Sequence, residues 1–156
     1  MTSPALDILL EQYQIAVQLY QHEDELNWAK LNHLFYINSG LWAIVGFILQ
    51  ADIAQHAPLD PNFVVTFVSA VGLVVSVAFE IALWYGTLYM YSRKNAVIHI
   101  EKALIEQGGA HLVSVPTEAP SYLHRSPTMW MLRAVPALFT LAWLAMLGIQ
   151  CVRPLL

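Results

Sequence analysis

Glu80 lies inside one of the most apolar stretches of the chain, TFVSAVGLVVSVAFEIALWYGT at residues 66–87. Carboxylates are rare within membrane-spanning helices, and those that occur pair with other groups or take part in ion or proton movement. On a helix, Glu80 shares one face with other small or polar residues, which recur at separations of three, four or seven. This polar stripe consists of Asn62, Thr66, Ser69, Gly72, Ser76, Glu80 and Thr87.

A polar stripe on an apolar helix can serve two purposes in a membrane. Small and hydroxylated residues let helix backbones approach closely and hydrogen-bond across the contact. The same residues can instead line a water-filled path, in which a ring of carboxylates would attract cations. Helix association is the commoner use, so we expect it for this stripe and keep pore lining as the alternative.

Glu80 needs a partner or access to water, because a charge near the middle of a bilayer costs about 3 kcal/mol on insertion scales. Three residues at a similar depth on the other predicted spans are candidate partners: Arg133, His33 and Asn38. Arg133 is the preferred one, since a guanidinium can pair bidentately with a carboxylate. The alternatives are a Glu80 side chain that reaches toward headgroup water or is protonated, and a role in ion or proton handling.

The composition shows which elements must position these residues. Of the 156 residues, 58% are hydrophobic and only 12% are charged, whereas soluble domains carry about 25% charged residues. Apolar runs at 34–53, 62–85 and 134–152 are each close to the roughly 20 residues that cross a bilayer as a helix. We therefore predict an all-α integral membrane protein with three transmembrane helices and long cytoplasmic helical extensions.

Five segments follow from the positions of the apolar runs, prolines and glycines. Asp60-Pro61 is typical of a helix start, and Gly108-Gly109 is typical of a helix end. We expect a cytoplasmic amphipathic helix at 1–32, transmembrane helix 1 at 33–54, transmembrane helix 2 with its extension at 60–107, a cytoplasmic linker at 108–132 and transmembrane helix 3 at 133–153. Pro136 would then lie in the first turn of the third helix, where proline is tolerated.

Lysine and arginine in short loops predict the orientation, because such loops stay in the cytoplasm when they are basic. The connection between the first two spans contains neither residue, whereas five cations lie between the second and third spans. They are Arg93, Lys94, Lys102, Arg125 and Arg133. We therefore expect a cytoplasmic N-terminus and a C-terminus on the opposite side of the membrane.

The N-terminal helix is acidic on its polar face, whereas helices that lie on anionic lipid are rich in lysine and arginine. Its apolar face is therefore expected to pack on protein. Both predicted extensions leave the membrane on the same side, so their opposite charges could pair and set the register of their packing, each pair contributing at most about 1 kcal/mol. The residues predicted to pair are Glu23, Asp24, Glu25, Arg93, Lys94 and Lys102.

The first span has its own small-residue face, at Ser39, Ala43 and Gly46. We expect this face to meet the second helix, with nearby Asn38 bonding across the contact. Trp42 and Trp143 also lie within spans, where they are interpreted as core or lipid-facing bulk.

The sequence contains no motif that names a reaction. It has no glycine-rich phosphate loop, no nucleophile motif and no paired metal-binding motif. His33 alone among the six histidines approaches a span, so no cofactor and no metal site are predicted. The acidic balance, with 11 acidic and seven basic residues, argues against binding to nucleic acid.

These observations favour a non-enzymatic helical membrane protein that acts by association. It would be a homo-oligomer or an accessory subunit of a larger membrane complex, and its expected partners are the lipid bilayer and copies of itself or other membrane subunits. The alternative is an oligomeric ion channel or pore lined by the polar stripe of transmembrane helix 2.

Overall fold

A computed structural model describes residues 4–50, 60–114 and 127–152 of the chain. These residues form three α-helices and no strand: α1 at Pro4–Ile48, α2 at Pro61–Ile105 and α3 at Pro127–Val152. Each helix is long and apolar enough to cross a membrane. The prediction of an all-α protein with three long apolar helices is therefore confirmed.

Local chemistry explains where the helices begin and end. Each of the three begins at a proline, whose missing N–H would have no partner in the first turn. At the start of α2, the Asp60 carboxylate accepts a hydrogen bond from the backbone N–H of Asn62 at 3.0 Å. At its end, Gly108 adopts a positive φ of 94°. The N–H groups of Gly108 and Gly109 then bond back to the carbonyls of Ile105 and Leu104, both at 2.9 Å, which is the Schellman arrangement.

The third helix differs from its prediction. It begins at Pro127, whereas residues 127–132 are predicted to belong to the linker and the helix to begin at 133. Pro136 therefore lies inside α3 and not in its first turn. Transmembrane helices tolerate interior proline because neighbouring groups can satisfy the freed carbonyl. The predicted end of transmembrane helix 1 and the middle of the predicted linker lie outside the described residues.

The chain divides into two compact units. The transmembrane unit comprises Ala29–Trp84 and Met131–Leu156, and the extension unit comprises Met1–Trp28 and Tyr85–Trp130. The transmembrane unit has an apolar core in which Val45, Val65, Val68 and Trp143 are buried. Val45 lies on α1, the other two valines on α2 and the tryptophan on α3, so all three helices contribute to one core.

Within the extension unit, α1 packs closely on α2 where Asn27 meets Gly86. A Cβ atom at position 86 would overlap the Asn27 amide, so glycine is required for this approach. The Asn27 side chain is fully buried, and neither its nitrogen nor its oxygen has a hydrogen-bond partner among the described groups. Since buried polar groups without partners are destabilising, this contact adds close packing but no polar stabilisation.

The segment that follows α2 is held back against the helix by Glu101. Its carboxylate accepts hydrogen bonds from the backbone N–H groups of Leu112, Val113 and Ser114, the last two at 2.9 and 2.8 Å. Glu101 is only 1% exposed. Burial raises the pKa of this carboxyl, but the hydrogen bonds outweigh that effect and hold its pKa below the ordinary value of 4.5. The charged carboxylate therefore stabilises the turn after α2.

Acid is expected to release this turn. Because the Glu101 pKa is lower in the folded chain than in the unfolded one, its stabilising effect is fully present above the ordinary carboxyl pKa. The effect is lost as pH falls through the lowered value. Glu101→Gln should remove most of this stabilisation of the turn at neutral pH. We expect faster hydrogen–deuterium exchange of the backbone amides at residues 112–114. Glu106→Gln, which changes an exposed carboxylate near the end of α2, should leave that exchange rate unchanged; equal rates in both variants would contradict the prediction.

The predicted charge pairs of the extension unit are not formed within one chain. In the part of the chain that the structure describes, no ion pair joins the acidic members of the set to the basic ones. The set is Glu23, Asp24, Glu25, Arg93, Lys94 and Lys102. Glu25, Arg93 and Lys102 are exposed. Apolar packing, and not ion pairing, therefore holds α1 against α2 in this unit.

Candidate functional site: a buried polar cluster in the transmembrane unit

The middle of the polar stripe faces the inside of the transmembrane unit. Ser69, Gly72 and Ser76 are buried, and Glu80 is half-buried. Asn62 and Thr66, which lie near the start of α2 and away from Glu80, are exposed. Thr87 belongs to the extension unit and is fully buried there. Most of the stripe is therefore buried or half-buried within one chain.

Asn38 on α1 is the centre of a hydrogen-bonded cluster that joins the three helices. Its side-chain oxygen accepts a hydrogen bond from Nε1 of Trp143 on α3 at 2.6 Å and from the Ser76 hydroxyl on α2 at 3.3 Å. Its amide nitrogen donates to the carbonyl oxygen of Leu34 one turn earlier, at 2.8 Å. Asn38, Ser76 and Trp143 are all 0% exposed. Each polar group named here has a partner, which is what an apolar environment requires.

Gly72 makes room for the indole of this cluster. A Cβ atom at position 72 would overlap the six-membered part of the Trp143 ring. The same indole stacks on Trp42 of α1, with ring centroids 4.3 Å apart and an angle of 14° between the planes. Trp143 thus contacts both Gly72 and Trp42 while its N–H donates to Asn38. This is the small-residue contact that membrane helices use for close approach.

Two other hydroxyl groups of the stripe bond within their own helix. Ser69 donates to the carbonyl oxygen of Val65, and Thr66 donates to that of Asn62, each at 2.7 Å. Such bonds to the carbonyl four residues earlier satisfy a hydroxyl without a neighbouring helix. These two residues are therefore compatible with an apolar surrounding and do not require water.

Glu80 contacts a residue that is not among its predicted partners. Its carboxylate accepts a hydrogen bond from the Thr140 hydroxyl on α3 at 3.0 Å. Arg133, the predicted partner of Glu80, lies on α3 like Thr140. Its guanidinium carbon is 4.4 Å from the centre of the Trp84 ring on α2. This is a cation–π contact. Glu80 and Trp84 are one turn apart on α2, so the two contacts join the same edges of α2 and α3.

The other two candidate partners of Glu80 have separate contacts. Asn38 forms the buried cluster described above. Nδ1 of His33 lies 2.6 Å from the carbonyl oxygen of Ala29, on the exposed side of α1. Of the three candidates, then, one is the centre of the cluster, one stacks on Trp84 and one bonds to its own helix.

The predicted contact of the small-residue face of α1 with α2 is wrong. Ser39, Ala43 and Gly46 are all exposed, and a Cβ atom at Gly46 would have no atom within 4 Å. The face of α1 that packs inside the unit instead includes Leu34, Asn38 and Val45, which are buried. These residues repeat at four and seven and the small residues repeat at four and three. Both sets of spacings are typical of one helix face, so periodicity could not distinguish the two faces.

The chemistry available to the cluster is structural. Its three side chains, an amide, a hydroxyl and an indole, contain no group that titrates near neutral pH, and the Ser76 hydroxyl is bonded to an amide and not to a base. Among the described residues, no group of three histidine, cysteine, aspartate or glutamate side chains is placed to hold a metal ion. The arrangement can fix the helices relative to one another, and it contains no nucleophile activated by a base.

Comparison with known proteins adds one assignment. No curated protein and no solved structure matches the chain significantly. Residues 10–152 match the family model described as the octameric membrane protein family (8xMP). The matched range includes most of α1, all of α2 and α3, and every residue of the buried cluster. The chain therefore belongs to the octameric membrane protein family.

Proposed function

We propose that this protein is a non-enzymatic, homo-octameric membrane assembly, in which each chain is a preformed three-helix module and function depends on association of the modules. The observation that supports this most strongly is the position of the polar stripe. Ser76 of the stripe and Trp143 both donate hydrogen bonds to Asn38, and all three side chains are fully buried. A chain that satisfies these three polar side chains internally can insert as a module and use its remaining faces for contact with lipid and with other copies.

A pore lined by the polar stripe receives less support. Such a pore would need the small polar residues of α2 to face water. Ser69, Gly72 and Ser76 are instead buried, and Trp143 occupies the space in front of Gly72. Lining a path with these residues would require separation of α3 from α2. A role as an accessory subunit of a different complex is also less favoured, because the family is described as octameric.

The experiment that tests the proposal is native mass spectrometry of the full chain, purified in mild detergent. We expect a single main species with eight times the 17.5 kDa mass of the chain. A monomer, or a defined complex with a different protein, would contradict homo-octameric association. The same preparation in liposomes should show no ion flux that changes on Glu80→Gln; a flux that Glu80→Gln alters would favour the channel.

We further propose that the N-terminus and the extension unit are cytoplasmic and that the end of α3 lies on the opposite side. The cations between the second and third spans support this orientation. Cys151 is the single cysteine of the chain and is exposed near the end of α3. A membrane-impermeant maleimide added outside intact cells should label it, and labelling only after the membrane is opened would contradict the orientation.

A further inference from the structure

The part of α1 in the extension unit has two apolar faces. One is half-buried against the rest of the unit and includes Leu6, Leu9, Tyr13, Val17 and Tyr20. The second is exposed, lies about a third of a turn away at 100° per residue, and recurs at separations of seven, four and seven. We call this second set the outer stripe; it consists of Ile8 at 58% exposure, Ile15 at 50%, Leu19 at 39% and Leu26 at 39%.

The composition of this segment disfavours contact between the outer stripe and lipid. Residues 7–25 contain five acidic side chains and no lysine or arginine, a composition that excludes this segment from the hydrocarbon core. It also disfavours the membrane surface, because helices that bind anionic headgroups are basic. A continuous apolar row on a water-exposed helix is instead typical of a protein contact, and its spacing is that of a helix-packing seam.

The surface with complementary charge is the exposed side of α2 in the same unit. Lys102 is exposed there, as are His99 and Leu88, which lie within about 60° of it on the same side of the helix. Glu11 and Glu25 flank the outer stripe and are also exposed. An acidic helix face with an apolar row and a helix face that carries an exposed lysine are therefore both present on one chain, and Glu11 and Lys102 form no ion pair among the described residues.

The packing of the extension unit indicates which residues of the two faces lie at the same level. Asn27 lies against Gly86, and Tyr13 and Glu101 line the same pocket, so α1 and α2 run antiparallel in this unit. Glu11 is therefore at the level of Lys102, and Leu26 is at the level of Leu88. In a ring of copies around an axis normal to the membrane, each residue lies at the same height along the axis in every copy. Glu11 of one copy would therefore lie at the height of Lys102 in its neighbour, and Leu26 at the height of Leu88.

We propose that the outer stripe of one copy packs on the exposed side of α2 of the next copy, with Glu11 beside Lys102 and Leu26 beside Leu88. The inference rests on the octameric assembly proposed above and specifies one of its contacts. Two different faces meet at this contact, and contacts of that kind close into rings. The apolar row would stabilise the contact, and the charges would select the neighbour and the register.

The first test introduces a charge into the outer stripe of the full-length chain. Ile15→Glu should convert the octamer to smaller species in native mass spectrometry, with at least a tenfold rise in the concentration needed for assembly. Gln14→Glu adds the same charge at an adjacent exposed position outside the stripe and should remain octameric. Circular dichroism should show the same helical content in both variants. An octamer unaffected by Ile15→Glu means that lipid or another protein covers the stripe, and would overturn the proposal.

The second test uses charge exchange between copies. Glu11→Lys and Lys102→Glu should each weaken the octamer when expressed alone, because each places like charges at every contact. Co-expression of the two single variants should restore octamers that contain both chains, since alternating copies then place opposite charges at every contact. Failure to restore the octamer would contradict a contact between copies at these residues. If the unaltered protein were not octameric, the proposed function itself would fail, so the two failures are distinguishable.

Discussion

Replacing Gly72 with valine is expected to prevent normal packing of the transmembrane unit. A Cβ atom alone would overlap the Trp143 indole, and that ring cannot move aside, because it stacks on Trp42 and donates to Asn38. Overpacking of a well-packed core costs about 1–3 kcal/mol, and a ring held by both Trp42 and Asn38 places this site at the upper end. The purified protein should show a large drop in its melting temperature.

A matched glycine replacement provides the control. Gly148 lies in α3, where a Cβ atom would have no atom within 4 Å. Gly148→Val should therefore change the melting temperature of the chain little. If Gly72→Val melted at the same temperature as the unaltered protein, α3 would not pack on the middle of the polar stripe, and internal use of the stripe would be disproved.

Asn38→Leu is expected to have the second-largest effect. The leucine side chain is similar in size but accepts no hydrogen bond, so the buried N–H of Trp143 and hydroxyl of Ser76 would lose their shared partner. A buried donor without a partner costs about 1–3 kcal/mol, although hydrogen bonds between membrane helices often contribute only about 0.6 kcal/mol each. With two donors affected, we expect a loss of about 2 kcal/mol in the free energy of unfolding.

A double-mutant cycle would separate hydrogen bonding from packing. Trp143→Phe keeps an aromatic ring beside Gly72 but removes the N–H donor. Asn38→Leu combined with Trp143→Phe should therefore cost less than the two single changes together. Ser76→Ala alone should cost the least, since its bond to Asn38 is the longest of the cluster at 3.3 Å. Additive losses would show that the bond between Asn38 and Trp143 contributes nothing to stability.

The existence of three apolar helices could be predicted from the sequence because it depends on properties summed over neighbouring residues. A run of about 20 apolar residues has the length needed to cross a bilayer whatever it packs against. The ends of α2 follow from equally local chemistry: Asp60 caps its start, and Gly108 adopts the positive φ that ends it. The start of α3 differs from its predicted position because proline is compatible with both a linker and the first position of a helix.

Which helix faces meet depends on the tertiary structure. On α1, the small residues at Ser39 and Gly46 and the larger ones at Asn38 and Val45 have the same helical spacing, yet only the second pair is buried. The sequence identified the polar stripe of α2, but Trp143 determines that its middle is used within the chain. Periodicity shows that a helix has a distinct face. Which neighbour covers that face depends on the fit of side chains that are distant in sequence, such as an indole over a glycine and an amide within reach of both an indole N–H and a hydroxyl.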